Sequence, residues 1–125
     1  MYLVDTHAHL YLPQFAEDRA AVIGRAAQSG VKRILLPNID LASVSGMQDL
    51  CSNYPDTCFP MMGLHPCDVK TDFREVLAKM KAMLDVHSYV AIGETGIDLY
   101  WDKTTLPQQI ESFTEQIHWA IEKSL

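Results

Sequence analysis

The sequence has no apolar run of transmembrane length and no basic leader followed by an apolar stretch, so nothing in it predicts a membrane span or secretion. It has no block of like charges, and Lys plus Arg number only 10 against 16 acidic residues, a formal net charge of −6. Holding nucleic acid by general phosphate neutralisation needs the opposite balance. A phosphate-bearing ligand would therefore depend on metal ions for positive charge. Cysteine is sparse: Cys51, Cys58 and Cys67 are odd in number and form no CxxC pair. That pattern predicts reduced thiols in a cytoplasm, with Cys51 and Cys58 acting as small buried apolar side chains. Low-complexity and linker-like stretches are also missing, so residues 1–125 read as one ordered domain.

What the chain does contain is an alternation of two segment types, with 48% hydrophobic residues to build a core. Short apolar stretches, LVDTH, VKRILLP, CFPMMG and YVAIG, have strand length and end in Gly, Pro or a polar cluster. Between them lie segments of helical spacing. The first carries Phe15, Val22, Ile23 and Ala26 on one stripe and ends near Gly30, where a left-handed residue suits a helix C-terminus. The second follows Asp40, a candidate N-cap, and carries Val44, Met47, Leu50 and Cys51. The third follows Thr71, with Val76, Leu77, Met80, Met83 and Leu84. The fourth begins near Pro107, with Ile110, Phe113, Ile117, Ala120 and Ile121 as its expected core stripe. Strict βα alternation predicts a parallel sheet with right-handed crossovers, the α/β class.

The strand ends carry the chemistry. Side chains alternate along a strand, so Asp5, His7 and His9 share one side if the extended conformation persists through His9. Two imidazoles aimed at one point suit a divalent transition metal, although HxH also occurs in ordinary loops. Active sites of parallel α/β folds lie at the carboxyl ends of strands, which is where this pair falls. The fourth stretch ends in GETGIDLYWD, and Gly93 and Gly96 bracket Glu94, the natural third ligand. The third ends in GLHPCD, bringing His65 to the same rim. Asp5 could accept from an imidazole N–H or from the loop backbone, and it stays outside the ligand set. His87, in a turn at the opposite rim, and His118, inside the fourth helix, read as structural or solvent-facing. Tyr100 and Trp101 could stack on a splayed base or merely cover the rim.

In order and spacing, DTHAHL, GLHP, GETGIDLYW and the Gln108, Gln109, Phe113, Gln116, Ile117, Ala120 pattern resemble the TatD family of metal-dependent hydrolases, a branch of the amidohydrolase-like barrels. The resemblance implies a (β/α)8 TIM-type barrel, two divalent ions (Mg, Mn or Zn) and hydrolysis of DNA phosphodiester bonds by a metal-activated water. It implies that His7 and His9 bind one ion, that Glu94 bridges both and is the catalytic carboxylate, and that His65 contacts substrate. Cys67 stands where many relatives place another histidine.

Such barrels run to about 250 residues, so the chain is expected to hold the first four βα units, the N-terminal half of one barrel domain. Two histidines and an aspartate from later strands would then be missing, leaving at most one partial metal site. Open half-barrel edges predict self-association, and the fragment alone is expected to have little activity. An aminoacyl-ester (tRNA) deacylase on the same fold and a non-catalytic metal- or partner-binding α/β module are the competing readings.

Overall fold

The computed structural model describes residues 1–125. Four strands, β1 (Leu3–Asp5), β2 (Val31–Pro37), β3 (Cys58–Met62) and β4 (Ala91–Ile92), form one sheet in the order β1-β2-β3-β4. Every neighbouring pair is parallel, with Ile34 opposite Cys58 and Met61 opposite Ala91 marking the register. Each connection therefore crosses over through a helix: α1 (Arg19–Gln28), α2 (Val44–Asn53) and α3 (Phe73–Val86), with α4 (Leu106–Lys123) following β4. The α/β class and the four βα units agree with the sequence expectation.

Local chemistry explains most boundaries. VKRILLP is rich in branched residues and forms the longest strand, with Ile34 and Leu36 buried on alternate positions. Past α1 the chain turns at Gly30, whose φ of +91° lies where only glycine is comfortable. Pro107 occupies the first turn of α4, where a missing N–H costs nothing. The core runs under the helices and includes Met47, Met62, Phe73, Leu77 and Met80. Cys58 is buried and Cys51 half-buried, and burial pushes their thiols up to about 11 and about 12. Both are free and inert, as small apolar side chains should be.

Three expectations need correction. Asp40 does not cap α2: its Oδ1 accepts from the Ser43 N–H at 2.8 Å, closing a turn, and the helix starts at Val44. The YVAIG stretch contributes only Ala91 and Ile92 to the ladder, because Tyr89 is instead buried beside α2, where its hydroxyl accepts from Gln48 Nε2 at 2.8 Å. Most consequential, the isoleucines of the α4 stripe face outward, and its Phe113 and Ala120 are only partly buried. Ile110, Ile117 and Ile121 are exposed, while Gln109, Ser112, Gln116 and Trp119 are buried. The buried amides are there because the loops beneath α4 have backbone groups to satisfy. Gln116 accepts from the Leu64 N–H at 2.9 Å and donates to the Leu64 carbonyl at 3.3 Å. Gln109 makes the same double contact with Asp98, at 2.8 and 3.0 Å.

Candidate metal centre

The strand ends are tied together before any functional side chain is placed. Asn38, just past β2 and fully buried, donates from its backbone toward the carbonyls of Met61 and Gly93 and accepts from the Glu94 N–H at 2.9 Å. Its side chain donates to the carbonyls of Asp40 and Gly63, at 2.8 and 3.0 Å, and accepts from Ser43 Oγ at 2.9 Å. One amide thus links the ends of three strands. Nothing in the local pattern marked it; an Asn directly after the apolar run ILLP is the only trace it left. Gly63 has a second kind of necessity. A Cβ there would lie 2.6 Å from the Gly93 carbonyl carbon and 2.7 Å from the Glu94 oxygen, so backbone contact requires glycine.

This frame brings Glu94 to the histidines. Past Asp5 the chain leaves the β1 ladder, and Asp5 Oδ1 accepts the His7 N–H at 3.0 Å. Of its two possible roles, Asp5 therefore takes the backbone one. His7 Nε2, His9 Nε2 and Glu94 Oε2 form a triangle with all three sides 3.1 Å. Glu94 is about three-quarters buried, His9 similarly so, and His7 half-exposed.

Hydrogen bonding assigns the protons. The Tyr11 hydroxyl donates to the Pro37 carbonyl at 2.5 Å, and its oxygen lies 2.8 Å from His9 Nδ1. A carbonyl can only accept, so the tyrosine proton is committed to Pro37 and His9 must supply the proton on its own side. His9 thus carries hydrogen on Nδ1 and presents a bare Nε2 to the triangle. Burial of Tyr11 raises its hydroxyl and keeps that proton in place. Burial likewise holds the His9 imidazole below its ordinary value, against the opposing pull of Glu94. Sequence reasoning sought this acceptor in Asp5 and missed Tyr11, although Tyr11 continues the odd-numbered series of Asp5, His7 and His9.

His65 is wired the other way. Its Nδ1 accepts the Cys67 N–H at 3.1 Å, so the neutral ring carries hydrogen on Nε2, which faces Glu94 Oε1 at 3.3 Å. It is a donor toward the cleft, whereas His9 is an acceptor. Cys67 lies nearby with Sγ 3.5 Å from Asp98 Oδ2, and burial and that carboxylate raise its thiol. His87 and His118 are exposed and remote from the triangle.

The donor set fits a divalent ion. Two ligands about 2.1 Å from one ion, subtending 90–110°, lie roughly 3.0–3.4 Å apart, which matches the observed sides. Imidazole nitrogen plus carboxylate oxygen suits Zn²⁺ or Mn²⁺ in particular. With Nε2 of His9 bare, three electron-rich atoms face one another and repel unless a cation or proton lies among them. The cleft over the triangle has a volume of about 550 Å³ and is lined by His7, His9, His65, Cys67, Glu94 and Trp101, with Ile39 and Asp68.

Comparison with known proteins places the chain among relatives of the same fold. The chain is 37% identical over 123 residues to the metal-dependent hydrolase YabD of Bacillus subtilis, and 34% identical over 123 residues to the 3′-5′ ssDNA/RNA exonuclease TatD of Yersinia pseudotuberculosis. These alignments cover 98% of this chain but 48% and 47% of the relatives. Among solved structures, the TatD homolog YjjV of Escherichia coli K12 superposes with a TM-score of 0.89 at 30% identity, over 98% of this chain and 48% of that one. The chain therefore spans about half the length of the relatives it matches. Residues 4–125 match the family described as TatD related DNase, and on that match the chain belongs to the TatD family of metal-dependent hydrolases.

Proposed function

We propose that this chain supplies the first metal site of a TatD-type phosphodiesterase acting on single-stranded nucleic acid. The observation that carries the reading is the 3.1 Å triangle of two imidazole nitrogens and one carboxylate oxygen. His7, His9 and Glu94 would hold one divalent ion. When bound, such an ion neutralises phosphate charge and lowers the pKa of water so that a nucleophile exists near neutral pH.

The chain's own residues do the rest. Tyr11 fixes His9 in the tautomer that coordinates, and Asn38 and Gly63 hold the Glu94 backbone against β2 and β3. His65, with its one ring hydrogen on Nε2, donates to Glu94 Oε1 in the free site and would turn that hydrogen to a phosphate oxygen when substrate binds. A second ion, as the family resemblance implies, would share Glu94; one cluster of three donors assembles from these residues. An acidic chain suits this division of labour, because the positive charge that attracts phosphate comes from the ion. The exonuclease name of the Yersinia relative supports a nucleic-acid substrate. Exposed Leu3 and Val4 on the edge strand β1 lead us to expect self-association of this chain alone. No helix is long and apolar enough to cross a membrane, and three free thiols favour a cytoplasmic setting.

The test is ³¹P NMR of a thymidine dinucleotide with Mn²⁺. The native chain should broaden the phosphodiester resonance well beyond Mn²⁺ alone, and His9→Ala should remove the excess. Equal broadening with and without the chain would overturn the proposal.

A further inference from the structure

Tryptophan is used in two opposite ways in this chain. Trp119 is 1% exposed, whereas Trp101 is 78% exposed and its neighbour Tyr100 is 82% exposed. Leaving two large aromatic rings in water forgoes the burial that normally places them in a core. The rings meet edge to face, with centroids 4.7 Å apart and planes at 84°. Within this chain neither ring covers a neighbouring element, and both are open to a ligand.

The loop that carries them is pinned at both ends. Gln109 of α4 clamps the Asp98 N–H and C=O and also donates to Thr105 Oγ1 at 3.0 Å. Asp98 Oδ1 accepts the Tyr100 N–H at 2.8 Å, and Asp102 Oδ1 accepts the Thr104 N–H at 2.7 Å. A buried glutamine and two aspartate turns thus fix the backbone while the rings stand free. Trp101 also lines the cleft that holds His7, His9 and Glu94.

A ligand for this place must satisfy two demands. Glu94 and Asp68 line the cleft beside the three donors that suit an ion, which favours a ligand that itself binds a cation. The exposed indole, in turn, favours a flat, weakly hydrated face. A nucleotide with an unpaired base meets both, offering phosphate to the ion and a π-face to the ring. A base inside a duplex has both faces already stacked. Resting on the metal-site reading above, we propose that Trp101, braced by Tyr100, is a stacking platform for the unpaired nucleobase beside the phosphate at the metal centre.

The experiment measures binding of a labelled single-stranded oligothymidylate to the full chain by fluorescence anisotropy in Mn²⁺. Trp101→Ala should weaken binding by about tenfold, the scale of one base stacked on an aromatic. Trp101→Phe should retain most of the affinity while abolishing quenching of tryptophan emission by the oligonucleotide. An abasic oligomer of equal length should bind the native chain and Trp101→Ala alike. Mn²⁺ affinity, titrated separately, should be unchanged in both variants, so a failed platform and a failed metal site give different results. Native affinity in Trp101→Ala, binding of the abasic oligomer by the native chain as tightly as the oligothymidylate, or no oligothymidylate binding by the native chain would each overturn the proposal.

Discussion

Helices α3 and α4 lie side by side, joined at their outer surface by Arg74–Glu111, Lys81–Glu122 and Lys123–Asp85 pairs, and they bury different chemistries. The inward face of α3 is Phe73, Leu77, Met80 and Leu84; that of α4 is Gln109, Ser112, Gln116 and Trp119. The difference follows from what each faces. Beneath α3 is the apolar core, which asks only for volume. Beneath α4 are two loops, after β3 and after β4, whose backbone groups would be costly to bury unpaired. One loop carries His65 and the other Trp101. Helix α3 therefore fills the apolar core, while α4, which also packs on β4, positions the rim.

Substitutions on the two helices should separate these roles. Met80→Ala removes a fully buried side chain and should cost about 2–5 kcal/mol in chemical denaturation, with Mn²⁺ affinity of the folded protein unchanged. Gln116→Ala strands the Leu64 N–H and C=O and should cost roughly 1–3 kcal/mol. Unlike Met80→Ala, it should also shift the His65 ring resonances. Tyr11→Phe leaves the fold intact but removes the acceptor for His9 Nδ1–H. Mn²⁺ affinity should fall by about tenfold, and ¹⁵N NMR should show the His9 tautomers mixing. Ile121→Ala, on the exposed apolar face of α4, should change stability by less than about 0.5 kcal/mol. A larger loss there would show that this face is covered in solution.

The same contrast explains what could be read from sequence. The rule that sites gather at strand ends, together with the order and spacing of the motifs, was enough to bring His7, His9 and Glu94 to one place, although β1 ends at Asp5 and the histidines lie just past it rather than on an extended strand. Those signals are local or topological, and the stripe of α3 was legible for the same reason. The stripe of α4 misled: Ile110, Ile117 and Ile121 have helical spacing, but a buried glutamine is chosen by the loop it meets, and no local pattern announces that partner. Tyr11 and Asn38 escaped notice similarly. Each acts through a backbone carbonyl or a ring nitrogen that only the folded sheet brings within reach. Asp5 shows the reverse case, a side chain whose local backbone contact won over the longer one.

The central claim is that Glu94 and the two histidines share one cation. Isothermal titration of Mn²⁺ into the native chain and into Glu94→Ala tests it directly. The account predicts one ion per native chain and an affinity reduced at least about tenfold in the variant, the loss expected when one of three protein donors is removed. Equal affinity in the two proteins would contradict it.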